Sequence, residues 1–270
     1  MAKLKYNELV KTLRECGLQK GDIVHIQSDL RLIGPVDSAS TREAILDFYF
    51  YAIKECIGEE GTISVPTFTW DYGDKGQPFI KEETPCDTGV FSEFIRKRKD
   101  SIRSIHPLVS VTACGRQAQE LCDIPHHDGY GYVSPWGKLH ELNAQIVALG
   151  LGSQKTGGSS IIHYCEALYG VPYRYTKLFT TPAYSEGKLL NGPFTMYVRH
   201  KFLNCKVDAS RFKKNLVDQK FAREFTLGNG SVFCCEAKIF VDKALELLSK
   251  DRYTLLNRKP EYAPDQIPMI

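Results

Sequence analysis

The 270-residue sequence predicts an α/β fold with a mixed central sheet and a β-rich second half. Two observations carry this expectation. Up to about residue 170, short β-rich runs alternate with segments of helical apolar periodicity. Beyond about residue 171 strand-like runs follow one another directly, before one last strand and helix. Composition agrees, since 43% hydrophobic and 25% charged residues is the mixture of a globular chain long enough to bury a full core. No repeat, low-complexity tract or linker divides it, so a single domain over residues 1–270 is expected.

The elements follow in order. "MAKLKYNELVKTLRECG" places Leu4, Leu9, Val10 and Leu13 on one face of a helix. It lacks the uninterrupted apolar run of a signal peptide, and no segment reaches the length of a membrane span, so a cytoplasmic protein is expected. "GDIVHIQSDL" (21–30) reads as a strand ending in polar residues. Residues 41–58 read as a helix with Thr41 as N-cap, Glu43 in its first turn and Gly58 closing it. Residues 61–70 return to strand, interrupted at Pro66. Residues 88–100 read as helix, 106–115 and 143–152 as strands, and 159–168 as a helix after a Gly/Ser loop. "GVPYRYTKLFTTPAY" and "GPFTMYVRHKFLN" look like meandering strands, and residues 231–251 like a strand leading to the final helix.

Nine scattered cysteines, without CxxC spacing and with Cys234 and Cys235 adjacent, suit reduced thiols better than a disulfide or zinc framework. The net charge of +3 is too mild for nucleic-acid binding. It does disfavour a strongly cationic ligand.

Three features could carry chemistry. "LGLGSQKTGGSSIIH" (149–163) follows a strand and opens a helix, where amide N–H groups favour an anion or a developing oxyanion. It matches neither a P-loop nor GxGxxG, and a plain connector is the competing reading. His163 and Glu166, three apart on that helix, share one face. Their spacing fits a base with its orienting carboxylate, half of a metal site, or a structural polar pair. No third or fourth ligand stands at recognisable spacing, so no metal is expected, and Cys165, two residues from His163, points away from it. Lastly, "RKRKDSIRSIHP" (96–107) carries five Lys/Arg, and 199–223 carries eight against two acids. Such runs are solvated faces or phosphate sites.

Several segments taken together resemble the aminoglycoside 3-N-acetyltransferase family, with its antibiotic N-acetyltransferase fold. These are "GDIVHIQSDLRLIG", "GTISVPTFTW", "RSIHPLVSVTACG", "GYVSPWGKL", "IVALGLG" and "IIHYCEA", in that order between about residues 5 and 250. The resemblance implies a single α/β domain distinct from the GNAT fold, acetyl-CoA as donor, an amino-sugar amine as acceptor, and no metal. It implies His163 as general base oriented by Glu166, and coenzyme contacts at Gln27, Ser28, Asp29, Leu30, Arg103, Ser104, His106 and Ser110. Amides at Gly158, Ser159 and Ser160 would meet the oxyanion. The sequence departs from the family at Gln27, where histidine is usual, at Ser160, where threonine is usual, and in a slightly longer loop from Gly152 to His163.

The basic balance, if residues 199–223 face the cleft, favours a negatively charged acceptor. The expectation is therefore a nucleotide-linked amino sugar of surface polysaccharide (O-antigen) assembly, with an aminoglycoside as the alternative. Neither nucleic acid nor membrane is an expected partner, and a homodimer is compatible with the sequence. Two other classes stay open: a coenzyme-binding protein without turnover, which Gln27 would suit, and a cysteine-dependent hydrolase or amidase.

Overall fold

The computed structural model describes residues 3–154, 158–200 and 202–261. The first half runs α1 (Tyr6–Glu15), β1 (Ile23–Ser28), a 3₁₀ turn (Leu30–Leu32), α2 (Arg42–Ile57), β2 (Thr62–Pro66), α3 (Trp70–Asp74), β3 (Phe79–Ile80), α4 (Val90–Arg96), β4 (Ser101–Arg103) and β5 (Val111–Gly115). Then come α5 (Ala118–Cys122), α6 (Pro135–Glu141), β6 (Gln145–Leu149) and α7 (Ile161–Tyr169). The second half runs β7 (Arg174–Phe179), β8 (Ala183–Ser185), β9 (Lys188–Leu189), β10 (Phe194–Arg199), α8 (Ser210–Asp218), β11 (Arg223–Leu227), β12 (Gly230–Glu236) and α9 (Ala237–Lys250).

Seven strands form one mixed sheet in the order β11-β12-β6-β1-β2-β5-β4. Its centre is parallel, β6-β1-β2, and both flanks are antiparallel. A parallel step needs a crossover, and α2 supplies the one from β1 to β2. Helices cover both faces, so successive strand residues enter different cores. Val24 and Ile26 pack with α1 and α2, while Ile23 packs with the cluster holding Trp136, Tyr164 and Phe240. The same alternation puts Cys234 in one core and Cys235 in the other, which is why adjacent cysteines are tolerated without bonding each other. All nine thiols are free and only Cys86 is less than fully buried.

Local signals work as expected in α2, where the Thr41 hydroxyl accepts from Ala44 N at 3.2 Å and Gly58 closes the helix with φ 70°. The second half is β-rich as anticipated, but it is not an extension of the sheet. β7 and β10 form a separate antiparallel ribbon, and β3, β8 and β9 a small three-stranded mixed sheet, while β11 and β12 return to the main sheet. The basic stretch after residue 199 contains α8, which buries Phe212, Lys213 and Leu216. The strand expected over 106–115 begins only at Val111. No helix among the described residues is long and apolar enough to cross a membrane.

Three histidines are buried: His25, His106 and His126. Burial holds His25 and His106 neutral, pushing them down to about 3, and His126 to about 4. In the unfolded chain each titrates near 6.5. Below that pH the unfolded state takes up protons that the folded state refuses, so stability present above pH 6.5 is lost as pH falls towards 3. Urea midpoints measured from pH 8 to pH 4 should be level at first and fall steadily below about 6.5. A flat profile down to pH 4.5 would contradict the burial of these rings.

Candidate active site

Helix α7 begins at the carboxyl end of the parallel strands and carries His163 in its first turn. One turn on, Glu166 is completely buried, a costly place for a carboxylate unless it is fully paired. Its partners are all present. His163 Nδ1 lies 2.7 Å from Oε2, Arg174 Nη2 lies 2.7 Å from the same oxygen, and the Tyr173 hydroxyl donates to Oε1 at 2.8 Å. Burial alone would raise the pKa of Glu166. Arg174 and the hydrogen bonds from His163 and Tyr173 outweigh it and keep the group below its ordinary value, hence ionised.

This arrangement fixes the tautomer of His163. Arg174 Nη2 also stands 2.9 Å from His163 Nδ1, and both nitrogens compete for the carboxylate. An ionised carboxylate is a stronger acceptor than a neutral imidazole nitrogen, so Nδ1 keeps its proton and donates it to Glu166. The Nε2 lone pair is then left for a ligand, on a ring that is 27% exposed and edge-on to Tyr130 at 5.5 Å. Burial lowers the pKa of His163, Arg174 lowers it further, and Glu166 opposes both; the net direction is down. A neutral imidazole with an open lone pair at neutral pH can act as a base.

Arg174 and Tyr173 escaped the sequence reading. They lie in "VPYRYTK", which looks like a strand-forming run, and nothing in its spacing marks an arginine that turns inward. The Arg174 side chain is 5% exposed, and its Nη1 donates to Tyr197 O at 2.8 Å on β10.

Beside α7 a cleft of about 590 Å³ opens at the carboxyl ends of the strands, the usual position for ligands in such sheets. Gln27, Ser28, Asp29 and Leu30 line it together with Phe68, Trp70, Val90 and Ser160. Gln27 spans to the start of α7. Its Nε2 donates to the Ser160 hydroxyl at 2.8 Å, and its Oε1 accepts from Ser160 N. Ser160 N is therefore committed and does not serve an oxyanion. Ser159 Oγ is buried with no partner among the described residues, and Gly157 of the same loop lies outside them. Asp29 caps the 3₁₀ turn and holds Arg31 by two bonds of 2.9 and 2.8 Å. Gly150 must be glycine, because at its φ of 82° a Cβ would collide with Asp29 O.

The segment "RSIHPLVS" is placed elsewhere than expected. Arg103, Ser104, His106 and Ser110 are all buried. Arg103 donates from Nε to Ser110 Oγ at 3.0 Å, from Nη1 to Lys81 O and Thr84 O at 3.2 and 2.5 Å, and from Nη2 to Thr67 O at 2.9 Å. His106 Nδ1 accepts from Val109 N at 3.2 Å, and Nε2 donates to Thr195 O at 3.0 Å. Ser104 Oγ accepts from Val111 N at 3.0 Å, and Ser110 Oγ donates to Thr67 O at 2.6 Å. Their polar groups are spent on backbone, tying the loops around β3 and β5 to β10. None of these four side chains is among those lining the cleft beside α7.

None of the described residues in 199–223 lines the cleft either. Lys213 is buried and donates to Gly152 O at 2.8 Å, and Lys214 is exposed and paired with Asp218 at 2.6 Å. A reactive thiol also finds no support. Burial raises Cys56 and Cys114 to about 11 and Cys235 to about 12, and it raises Cys165 well above the ordinary thiol range. No group of three or more His, Cys, Asp or Glu among the described residues could hold a metal ion.

A profile described as aminoglycoside 3-N-acetyltransferase matches residues 23–249. The chain belongs to that family. Aminoglycoside N(3)-acetyltransferase IV of Salmonella sp is 24% identical over 259 residues, covering 93% of this chain and 89% of that protein. Among solved structures, AAC-IIIb in a binary complex with CoASH superposes with a TM-score of 0.76 at 18% identity, covering 92% of this chain and 97% of the other. A variant of aminoglycoside acetyltransferase AAC(3)-IVa in complex with a gentamicin gives 0.74 at 21% identity, covering 94% and 92%. At these identities the structures establish the shared fold. Family membership makes the chain an N-acetyltransferase.

Two outcomes follow for this acetyltransferase. Removing the cation beside His163 lets Glu166 raise the pKa of the imidazole, so Arg174→Gln should move the acid limb of kcat to higher pH. Profiles from pH 5 to 9 read this directly, and an unmoved limb contradicts the pairing. Arg103→Ala should leave several buried carbonyls unpaired and cost about 3 kcal/mol of stability. The KM for acetyl-CoA in the folded fraction should stay unchanged, and a raised KM would restore a coenzyme contact.

Proposed function

We propose that the protein transfers the acetyl group of acetyl-CoA to the 3-amino group of an aminoglycoside. The observation that carries this is the tautomer-fixed His163, paired with Glu166 beside a cleft at the carboxyl end of the sheet, in a chain of this family. In this reading the thioester reaches along the cleft past Gln27 and Ser160 towards His163. His163 Nε2 takes a proton from the attacking amine as its nitrogen bonds to the thioester carbon. Glu166 steadies the imidazolium so formed. The carbon–sulfur bond then breaks, and the imidazolium returns its proton to the departing thiolate, so charge and protons balance. Amide N–H groups of Gly158 and Ser159 are assigned to the oxyanion, since that of Ser160 is held by Gln27.

The acceptor reading shifts from the one that net charge favoured. A nucleotide-linked amino sugar rested on the basic balance and on residues 199–223 facing the ligand, and none of the described residues of that stretch lines the cleft. Without them the small excess of positive charge has no local meaning at the site. The relatives' names support an aminoglycoside.

Thiol release from acetyl-CoA in the presence of gentamicin or a kanamycin, with product position assigned by NMR, tests this. His163→Ala should lower kcat by roughly 10²- to 10⁴-fold, and Glu166→Gln by less. Turnover with a nucleotide-linked amino sugar above that with the aminoglycosides would overturn the acceptor. Near wild-type turnover in folded His163→Ala would overturn the base.

A further inference from the structure

Tyr130 stands edge-on to the His163 ring at 5.5 Å and against Trp136 at 5.4 Å. The indole is itself pinned, its Nε1 donating to Val109 O at 3.3 Å. The backbone just before Tyr130 is tied to β10, where Gly129 N donates to Thr195 O at 2.8 Å and Thr195 N to His127 O at 2.7 Å. Gly129 lets the chain pass close to the core, since a Cβ added there would lie 2.6 Å from a Val109 methyl. Tyr130 N donates to Asp128 Oδ1 at 3.2 Å. Ring and backbone are therefore both fixed, and the residue is 1% exposed.

The neighbouring phenols are spent on the protein. Tyr164 shares its hydroxyl with His140 Nδ1 at 3.3 Å, Tyr173 donates to Glu166, and Tyr197 donates to Val171 O at 2.6 Å. The Tyr130 hydroxyl has no hydrogen-bond partner among the described residues, yet it is not sealed off as the unpartnered hydroxyl of Tyr49 is. A hydroxyl in such a place costs stability unless something outside the protein meets it. Burial raises the Tyr130 phenol above its ordinary value, with Arg174 opposing and Glu166 adding to the rise. It therefore stays protonated through the neutral range and offers a donor.

A tetrahedral oxyanion beside His163 needs donors, and one candidate is already lost because Ser160 N is held by Gln27. We propose that the Tyr130 hydroxyl is a catalytic donor, hydrogen-bonding the oxyanion that forms on the thioester carbon next to His163. The role rests on the acetyl-transfer reading. Negative charge builds on the carbonyl oxygen as the amine attacks and leaves it as the carbon–sulfur bond breaks. The phenol keeps its proton throughout, so the proton balance between amine, His163 and thiolate is unchanged. A phenylalanine here would pack against Trp136 and His163 equally well but would have nothing to donate.

Tyr130→Phe removes that one oxygen and tests the role by thiol release from acetyl-CoA with gentamicin as acceptor. Because the donor acts in the transition state, kcat should fall roughly 10²-fold with both KM values nearly unchanged. The deficit should be level from about pH 6 to pH 9, since a phenol raised above its ordinary value does not titrate there. The thermal midpoint should not fall, because the oxygen bonds to nothing in the protein. Tyr49→Phe, which removes an unpartnered hydroxyl from the other core, should keep full turnover. Near wild-type kcat in Tyr130→Phe, a raised KM for gentamicin at unchanged kcat, or a lowered thermal midpoint would each overturn the role. With His163→Ala impaired in the same assay, such a result strikes the hydroxyl and leaves the acetyl-transfer reading intact. No turnover by the wild-type protein would overturn both.

Discussion

The buried carboxylate of Glu166 is the constraint on which the rest of the site depends. A charge withdrawn from water must be met by charge and hydrogen bonds of good geometry, or the fold does not retain it. Here the partners come from separate parts of the chain. His163 shares helix α7, Tyr173 and Arg174 arrive at the start of β7, and Arg174 reaches on to the backbone of β10. Satisfying one carboxylate therefore docks the β7–β10 ribbon against α7 and leaves His163 with a single stable tautomer. Structure and chemistry draw on the same few bonds.

A second tie sets where that helix begins. Gln27 and Ser160 both depart from the family's usual residues, and they are bonded to each other. A glutamine amide offers a donor and an acceptor side by side, which suits a backbone N–H and a hydroxyl on one residue. The pair forms an anchor between β1 and the start of α7. The opposite end of the loop is held too, by Lys213 on Gly152 O and by Glu224 on Ser153 N at 2.9 Å. The anchor also gives Gln27 a positive role in an enzyme, where the sequence alone left open a protein that binds coenzyme without turnover.

Much of this was legible in the sequence. Capping at Thr41, termination at Gly58 and the adjacency of His163 and Glu166 follow from local rules, and the structure keeps them. What was not legible is burial. "RSIHPLVS" has the residue types of a phosphate site, yet Arg103 is enclosed by carbonyls that arrive from Thr67, Lys81 and Thr84, which no spacing reveals. Lys213 is hidden in the same way, and it misled the argument from charge because a sum over the chain weighs buried and facing groups alike. Arg174 was missed for the converse reason. Its inward turn is set by Glu166, eight residues earlier on a different element, and such long-range electrostatics leave no local pattern.

The central claim is that burial and Arg174 keep the His163 imidazole neutral, while Glu166 holds its proton on Nδ1 and leaves a bare Nε2. Nitrogen-15 NMR of the histidine-labelled protein near neutral pH, with His163→Gln to assign the ring, measures this directly. The account predicts a protonated Nδ1 and an unprotonated Nε2 for His163. A proton on Nε2, with Nδ1 accepting from Arg174, would leave no base at this position and would contradict it.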